Sequence, residues 1–271
     1  MLLAIDIGNS MVTMGVFDGE RLESTLRVAT DTRKLADEYG LLITNLLNLN
    51  GVEQSNIDHI SMCSVVPPLT LVFDNVCQTY FGIRPLIVTA SVPTGLRILY
   101  DSPRDVGSDR IVDAVAAIKL YGAPVIVVDF GTATVFDAVN RELEYLGGAI
   151  APGISVAAEA LFLNTSQLRR VELVAPQSAI GKNTSTSLQS GLVFGYAGLV
   201  EGLVARFKRE LGDDARVIGT GGQAGIIAHE TDVFDEINPD LTLVGLRLIY
   251  NMNEPGVELT NEPLQSGARE A

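Results

Sequence analysis

The sequence predicts an α/β protein made of a duplicated unit, in which mixed β-sheets are flanked by helices. A repeat is the first observation behind this prediction: the apolar residues 2–5 lead into Asp6-Ile7-Gly8, and the apolar residues 125–128 lead into Asp129-Phe130-Gly131. The offset is 129 − 6 = 123 residues, without a gap. The second observation is that strand-like and helix-like patterns are mixed along the chain.

Each Asp-x-Gly turn is followed by another strand-like segment. Residues 11–17 are apolar and β-branched and lead into Asp18-Gly19, a favourable hairpin turn. Residues 134–139 repeat this pattern in the second copy. The order differs from that of dinucleotide-binding and P-loop units, in which the glycine-rich turn opens a helix. We therefore expect a bound phosphate to lie over a β-hairpin turn.

Between the two copies, glycine and proline separate the elements. Gly51 follows a segment of helical spacing, Pro67-Pro68 stop an extended run, and Pro93, Gly95 and Pro103 interrupt any regular pattern. The expected elements are a helix over residues 34–48, a strand over 57–66, a helix over 69–81, a strand over 85–89, a loop over 91–106 and a helix over 109–120.

The second half continues in the same mixed order. We expect helices over residues 155–163, 187–211 and 241–251, and a strand over 215–218 before the glycine-rich residues 219–222. The natural boundary lies just before the second copy. The predicted domains are therefore residues 1–120 and 121–253, followed by a polar, disordered tail at 254–271.

Composition restricts the partners of the chain. Its 47% hydrophobic content supports a large core, and its formal charge of −14 disfavours nucleic acid and anionic membranes. No apolar run approaches the ~20 residues that span a bilayer, and the start lacks a basic leader. Cys63 and Cys77 lack metal-type spacing and are expected to be reduced structural thiols in a cytoplasmic protein. His59 and His229 share no motif.

The two turns carry residues suited to a phosphate ligand. Asp6 and Asp129 each follow an apolar strand, where a carboxylate can hold a cation beside phosphate, directly or through water. Gly8 and Gly131 allow a close approach of the backbone, and Ser10 and Thr132 offer hydroxyl groups. The alternative is a pair of hairpins with Asp as an ordinary turn residue. The in-register repetition favours the ligand interpretation.

Residues 103–110 form a second candidate. Gly107 permits an unusual turn, and Asp109 and Arg110 open the following helix. The functional interpretation makes Asp109 the base for a substrate hydroxyl and lets Arg110 bind an anionic group, which suits phosphoryl transfer. The alternative is that Asp109 is only a helix N-cap.

Three further segments leave their alternatives open. The run Gly147-Gly148-Ala149-Ile150-Ala151-Pro152-Gly153 predicts either a ligand wall or a tight turn before a close-packed helix. Residues 219–222 place Gly221 and Gly222 where a helix N-terminus can receive a nucleotide, although this motif alone is weakly specific. Thr184 lies in a polar stretch before the longest predicted helix, where an ordinary helix cap is the alternative.

Together these motifs resemble the acetate kinase/sugar kinase/Hsp70/actin superfamily and, within it, the type III pantothenate kinases. The resemblance covers most of residues 1–252. It implies duplicated ribonuclease-H-like (actin-like ATPase) domains. In chain order, the matching motifs are the phosphate motif at residues 6–10, the Pro-x-x-x-Gly-x-Asp-Arg element at 103–110, the second phosphate motif at 129–133, the Gly-Gly-x-Ile-x-Pro-Gly run at 147–153 and the adenosine motif at 220–222.

The resemblance also implies a reaction: ATP-dependent phosphorylation of pantothenate, the first step of coenzyme A biosynthesis. It implies Asp109 as proton acceptor, Asp129 as ligand of a monovalent cation (K⁺ or NH₄⁺) and Asp6 near the divalent metal that accompanies ATP. The implied ATP contacts are Asp6, Ile7, Gly8, Asn9, Ser10, Met11, Val12, Thr13, Thr132, Gly221 and Gly222. The implied pantothenate contacts are Tyr100, Gly107, Ser108, Asp109, Arg110 and Thr184.

The family is typically a cytoplasmic homodimer, with the long helix of the second half helping to form the interface. Ser10 stands where Thr is usual in the family, which keeps the hydroxyl. Two alternatives remain beside a pantothenate kinase: a non-catalytic regulatory relative, and a kinase for another small hydroxyl substrate. The charge of −14 and the lack of a helix-turn-helix pattern argue against direct DNA contact.

Overall fold

The computed structural model of this protein describes residues 1–253; the predicted tail, residues 254–271, lies outside the described residues. The chain forms two compact units. The first contains Met1–Leu96, Asp101–Ala116 and the segment that starts at Thr242, and the second contains Arg97–Tyr100 and Ala117–Leu241. The chain thus passes between units at residues 97–100 and at 242, as well as near residue 117. The domain boundary predicted at residue 120 stays a prediction.

The strands account for both copies of the repeat. In chain order they are β1 (Leu2–Ile7), β2 (Met11–Asp18), β3 (Arg21–Ala29), β4 (His59–Ser64), β5 (Leu86–Ile87), β6 (Arg97–Ile98), β7 (Val125–Phe130), β8 (Ala133–Val139), β9 (Glu144–Pro152), β10 (Arg216–Thr220) and β11 (Glu236–Ile237).

The helices follow the predicted order. They are α1 (Ala36–Leu49), α2 (Pro67–Val76), α3 (Ser108–Tyr121), α4 (Ile154–Leu163), α5 (Thr184–Leu211), α6 (Ala224–Ala228) and α7 (Leu241–Met252). A single π-helical turn, Cys77–Phe81, extends α2 to the end of the predicted helix over residues 69–81.

The two sheets repeat one topology. The first has the strand order β3-β2-β1-β4-β5, and the second contains the equivalent order β9-β8-β7-β10-β11 with β6 added beside β9. In each, two antiparallel pairings are followed by a parallel neighbour, β4 beside β1 and β10 beside β7. The duplication seen in the two Asp-x-Gly motifs therefore extends to whole sheets.

The two phosphate-motif hairpins differ in length by one residue. Ile7 pairs with Val12 across the first turn, which leaves the four residues 8–11 in the loop. Phe130 pairs with Thr134 across the second turn, which leaves only residues 131–133. The offset of 123 therefore holds through each glycine but not through the whole turn, so the two loops present different backbones to a ligand.

Both faces of the first sheet are covered by helices. One core cluster joins Ile5 and Met14 of the sheet to Tyr39 of α1 and Phe73 of α2. A second cluster joins residues of the opposite face to α3 and α7; its buried members are Leu2, Ala4, Phe17, Cys63, Val88, Val112, Val115, Leu243, Leu246 and Ile249.

The second sheet has its own core. Ile126 and Val128 of β7 pack with Val193 and Val200 of α5, and Ile227 of α6 joins them. By length and composition, α5 is also the one helix in residues 1–253 that is apolar enough to cross a bilayer. Because helices in protein cores satisfy the same criterion, a single such helix is weak evidence for a span.

Several elements differ from the sequence expectation. The predicted loop over residues 91–106 contains β6, and the glycine-rich run 147–152 is part of β9 rather than a tight turn. Helix α2 begins at Pro67 because proline is tolerated in the first helical turn. Helix α5 begins at Thr184, and the cap is Asn183, whose Oδ1 accepts from the Thr186 N–H at 2.9 Å.

Candidate functional site

Asp6 lies near the carboxyl end of β1, on the face that α3 covers. Strand alternation places it on the same side as Leu2 and Ala4, which belong to the core cluster containing α3 residues. In the parallel pairing of β1 with β4, Asp6 is opposite Cys63. The Cys63 Sγ lies 3.4 Å from Asp6 Oδ1, within reach of a sulfur hydrogen bond.

Helix α3 brings Asp109 to this face. Its start is attached to the carboxyl end of β4 by Ser108, whose Oγ accepts from the Ser64 N–H and donates to the Ser64 carbonyl, both at 3.1 Å. Val112 and Val115, one to two turns later, pack with Cys63 in the core. Ser108, predicted to contact substrate, therefore also has a structural role that the sequence does not indicate.

Gly107 leaves room for the carboxylate beside it. A Cβ at residue 107 would lie 2.5 Å from Asp109 Oδ1, and the residue does not have the left-handed backbone that an unusual turn implies. The same Asp109 oxygen accepts from the Arg110 N–H at 2.8 Å. The predicted substrate-binding glycine thus makes room for the predicted base.

Burial sets the charge state of these carboxylates. Desolvation, and then the nearby Asp109 carboxylate, raise the pKa of Asp6 from 3.8 to about 7, while the Cys63 hydrogen bond lowers it. Burial also raises the pKa of Asp109, opposed by its contact with Arg110. Two carboxyl groups that repel each other on a partly dry face create a site where a cation is favoured.

The first phosphate-motif turn is closed by its own backbone and by Thr30. The Gly8 N–H donates to the Met11 carbonyl at 3.1 Å, and a Cβ at residue 8 would lie 3.0 Å from that oxygen. The Thr30 hydroxyl donates to the Gly8 carbonyl at 2.7 Å, and the Thr30 N–H donates to the Ser10 carbonyl at 3.2 Å. Asn9, Ser10 and Met11 are exposed at the tip of this turn.

The interior of the motif behaves differently from its tip. Ile7 and Val12 are fully buried core residues, and Thr13 lies opposite Asp6 in the antiparallel pair. Within the stretch predicted to contact ATP, the tip of the turn therefore exposes its backbone and the Ser10 hydroxyl. The flanking strands hold that tip in place.

The second unit gathers another group of predicted residues. Its turn is closed by the Gly131 N–H, which donates to the Ala133 carbonyl at 3.0 Å, and Thr132 is exposed at its tip. The Gly153 N–H donates to the Thr132 carbonyl at 3.0 Å, and a Cβ at residue 153 would lie 2.4 Å from the Gly131 oxygen. Gly153, at the start of α4, thus supports this turn from behind.

Gly221 packs directly against Asp129. Strands β10 and β7 run in parallel with Thr220 opposite Asp129, so the residue after β10 reaches the end of β7. Gly221 has φ +89°, and a Cβ there would lie 2.3 Å from Asp129 Oδ1. Gly222, next in the chain, is exposed with open space around its Cα. The second phosphate motif and the adenosine motif therefore meet.

Tyr100 is placed by β6 on the edge of the second sheet. The Leu99 N–H donates to the Tyr145 carbonyl at 2.9 Å, and the Tyr100 and Tyr145 rings are 6.3 Å apart. A Cβ on Gly147, which has φ +112°, would lie 3.2 Å from the Tyr100 ring. The buried Tyr145 hydroxyl donates to Asp137 at 2.6 Å.

The remaining predicted residues are more isolated. Thr184 is exposed in the first turn of α5. Helix α6, which follows the adenosine motif, has only five residues, so its N-terminus is a weak anion site. Within residues 1–253, no three His, Cys, Asp or Glu side chains are grouped to hold a metal ion by themselves.

Sequence reasoning missed Cys63 and Thr30 as partners of the first motif. Their signal is topological rather than local. If the predicted strand over residues 57–66 runs parallel to β1, its carboxyl end must lie beside Asp6. Thr30 follows β3, the strand next to β2 in the sheet, and no local pattern marks it.

Comparison with known proteins agrees with this architecture. A Roseiflexus sp. (strain RS-1) protein named type III pantothenate kinase is 53% identical over 253 residues, which are 93% of this chain and 99% of the relative. Two solved structures share the fold. One, from Campylobacter jejuni and described as a conserved Baf family transcriptional activator, has TM-score 0.60 at 19% identity and covers 93% of this chain and 98% of its own.

The other structure, from Sinorhizobium meliloti, is described as a 2-dehydro-3-deoxygalactonokinase. It has TM-score 0.55 at 12% identity and covers 97% of this chain and all of its own, 100%. The predicted duplicated, actin-like ATPase fold class is confirmed. The family model of type III pantothenate kinases matches residues 2–206. This chain therefore belongs to the type III pantothenate kinase family.

Proposed function

We propose that this protein transfers the γ-phosphate of ATP to the hydroxyl of pantothenate, the first step of coenzyme A biosynthesis. Membership of the family supports the reaction class. The observation that carries the proposal in the molecule is the placement of Asp109 beside Asp6 on one covered face of the first unit. One carboxylate is available for the metal that accompanies ATP and the other for the substrate proton.

Asp109 is proposed as the general base. It takes the proton of the substrate hydroxyl while that oxygen bonds to the γ-phosphorus, and the bond from this phosphorus to the bridging oxygen of ADP breaks. Burial raises the pKa of Asp109, which makes it a stronger base than an exposed aspartate. The Arg110 N–H donates to this carboxylate, and the absence of a Cβ at Gly107 leaves room for it.

Asp6 is proposed to contact the divalent cation, Mg²⁺. The fit rests on its half-buried carboxyl group, whose pKa is raised to about 7 by desolvation and by Asp109, because a divalent cation offsets both effects. Mg²⁺ commonly takes one or two protein carboxylates, with phosphates and water completing its shell. When bound, the ion neutralises charge on the phosphates. The exposed tip formed by Asn9, Ser10 and Met11 is proposed to hold those phosphates.

In the second unit, Asp129 is proposed to hold a monovalent cation, K⁺ or NH₄⁺, with Thr132, Gly221 and Gly222 contacting ATP. The support is that Gly221 packs on the Asp129 carboxylate and that Thr132 is exposed beside it. The proposed pantothenate contacts are Tyr100, Gly107, Ser108, Arg110 and Thr184.

A cytoplasmic homodimer is also proposed, with α5 at the interface. Along this helix Gly191, Gly195 and Gly198 are exposed with open space at their Cα atoms, and their spacing of four and three places them on one face. Ile150 and Ile180 are 64% and 81% exposed in the same unit. A glycine face allows a second helix to approach closely. Burial of the exposed isoleucines in an interface would be favourable.

The base assignment is tested by Asp109→Asn, with Asp105→Asn as the matched control. Asp105 is an exposed carboxylate in the short helical turn just before α3. Asp109→Asn should retain ATP binding and lose at least ~100-fold in kcat, because a base contributes ~10²–10⁴. Asp105→Asn should keep both. A normal kcat for Asp109→Asn would reject the assignment.

A further inference from the structure

Cys63 is a buried thiol in direct contact with the candidate metal carboxylate. Its exposed fraction is 0%, and it lies in the middle of the first sheet among residues of β1 and α3. The sequence indicates only a structural thiol at this position. Its Sγ nevertheless lies 3.4 Å from Asp6 Oδ1 and not simply against apolar neighbours.

Cys63 is placed as a neutral donor. A thiol carries one S–H group, and the Sγ atom lies within hydrogen-bond reach of Oδ1 of the Asp6 carboxyl group.

Cys63 contacts Asp6 directly from the neighbouring strand. The parallel register places the two residues opposite each other, and the thiol donates to Asp6 Oδ1. A hydrogen bond to a carboxylate favours its charged form and fixes its orientation. A neutral donor gives this support without placing a positive charge where a metal ion would bind.

We propose that Cys63 is a positioning residue for phosphoryl transfer, whose thiol holds the Asp6 carboxylate in the orientation that receives Mg²⁺ and ATP. The inference rests on the proposed role of Asp6. It does not require that pantothenate be the acceptor. It predicts that loss of the donor weakens the binding of Mg–ATP and leaves the binding of the acceptor substrate unchanged.

The chain offers a matched control in Cys77. This second buried thiol also has 0% exposure and belongs to the other core cluster of the same unit, among apolar residues of α1 and α2. Cys63→Ala and Cys77→Ala delete the same atoms from equally buried sites. Cys63→Ser keeps a hydroxyl donor and separates the loss of the hydrogen bond from the loss of packing.

The measurements are the equilibrium Kd of Mg–ATP, the Mg²⁺ concentration for half-maximal activity, and the KM of each substrate, all with the full chain. Cys63→Ala should raise the Kd and KM for Mg–ATP ~10-fold, the usual effect of one hydrogen bond to a charged group. Cys63→Ser should recover most of this loss. Cys77→Ala should lower Tm without changing either value, and the KM for pantothenate should change less than ~2-fold in all three variants.

Three results would overturn the inference. They are an unchanged Kd for Mg–ATP in Cys63→Ala, an equal increase in Cys77→Ala, and a Cys63→Ser variant no better than Cys63→Ala. Binding of Mg–ATP is measured without pantothenate, so a wild-type protein that fails to phosphorylate pantothenate would reject the proposed function. That failure leaves the binding comparison of the Cys63 variants as a separate test.

Discussion

At the scale of single residues, glycines that look equivalent in the sequence occupy their positions for different physical reasons. Gly221 combines φ +89° with a Cβ position 2.3 Å from Asp129 Oδ1, so the fold itself requires glycine there. At Gly107 the short contact of a Cβ would be with the Asp109 carboxylate alone, the end of a side chain. Gly131 has neither constraint, since a Cβ there would make only ordinary contacts, the shortest being 3.6 Å. A glycine that the fold does not require is the best candidate for contact with a ligand.

This contrast predicts different results for Gly131→Ala and Gly221→Ala. Gly131→Ala should leave Tm nearly unchanged and raise the KM for ATP ~5-fold or more, because a methyl group would separate the backbone from phosphate. Gly221→Ala should lower Tm strongly, since an alanine at that φ is strained and meets Asp129. Thermal melts and steady-state kinetics check both. An unchanged KM in Gly131→Ala would remove this turn from the ATP site.

The raised pKa of Asp6 predicts that the stability of the protein depends on pH. Its pKa in the folded protein is about 7 and its ordinary value is 3.8, so between these values the folded state holds a proton that the unfolded chain has released. The free energy of unfolding therefore falls as pH rises through this window. Asp6→Asn, which has no charge to bury, should raise Tm of the ligand-free protein by ~3 °C or more at pH 8. The gain should be smaller at pH 5.

The control for this experiment is Asp18→Asn. Asp18 is exposed at the hairpin that ends the same pair of strands. It should show no gain in Tm that grows with pH. Equal gains for Asp6→Asn at both pH values would mean that burial does not hold the Asp6 proton.

At the scale of elements, sequence patterns predicted the helices that bury one face over several turns. The helices that became α1, α3 and α7 were expected within a few residues of their observed ends, because apolar residues recur at helical spacing. Strands β6 and β11 have two residues each, too few for any periodicity. Strand β9 was hidden by Gly147 and Gly148, which are unusual in strands.

Sequence patterns also selected the candidate site residues, whose roles stay predictions. Asp6, Asp109 and Asp129 were selected because each carboxylate stands at the end of a strand or the start of a helix. Their partners were not predictable, because pairs such as Ser64–Ser108 and Asp6–Cys63 are separated by 44 and 57 residues. A single sequence contains no signal for such contacts until the strand order is known.

Helix α5 carries a prediction of its own. Gly195→Glu places a charge on its exposed glycine face and should convert a dimer into monomers, measured by analytical ultracentrifugation. Glu is a better helix former than Gly by ~0.5–1 kcal/mol, so the helix itself should not weaken. Gly225→Glu, at an equally open glycine of α6, is the control and should leave the mass unchanged. A monomeric wild-type protein would contradict the proposed interface.

At the scale of the whole molecule, one type of folding unit occurs twice, and the two copies carry different residues at corresponding places. Both sheets share a strand order, and both phosphate-motif strands end in Asp-x-Gly. The first unit adds Asp109, Cys63 and a four-residue turn, whereas the second has a three-residue turn and a glycine packed on its Asp. Duplication therefore explains the architecture, and the residues that differ between the copies include those proposed to act in the reaction.

The decisive measurement for phosphorylation of pantothenate by this chain is pantothenate-dependent release of ADP by the purified protein. We predict ADP release that requires pantothenate, Mg²⁺ and a monovalent cation, with one 4'-phosphopantothenate formed for each ADP. Release of ADP at the same rate without pantothenate, or only with another hydroxyl compound from a substrate panel, would contradict it.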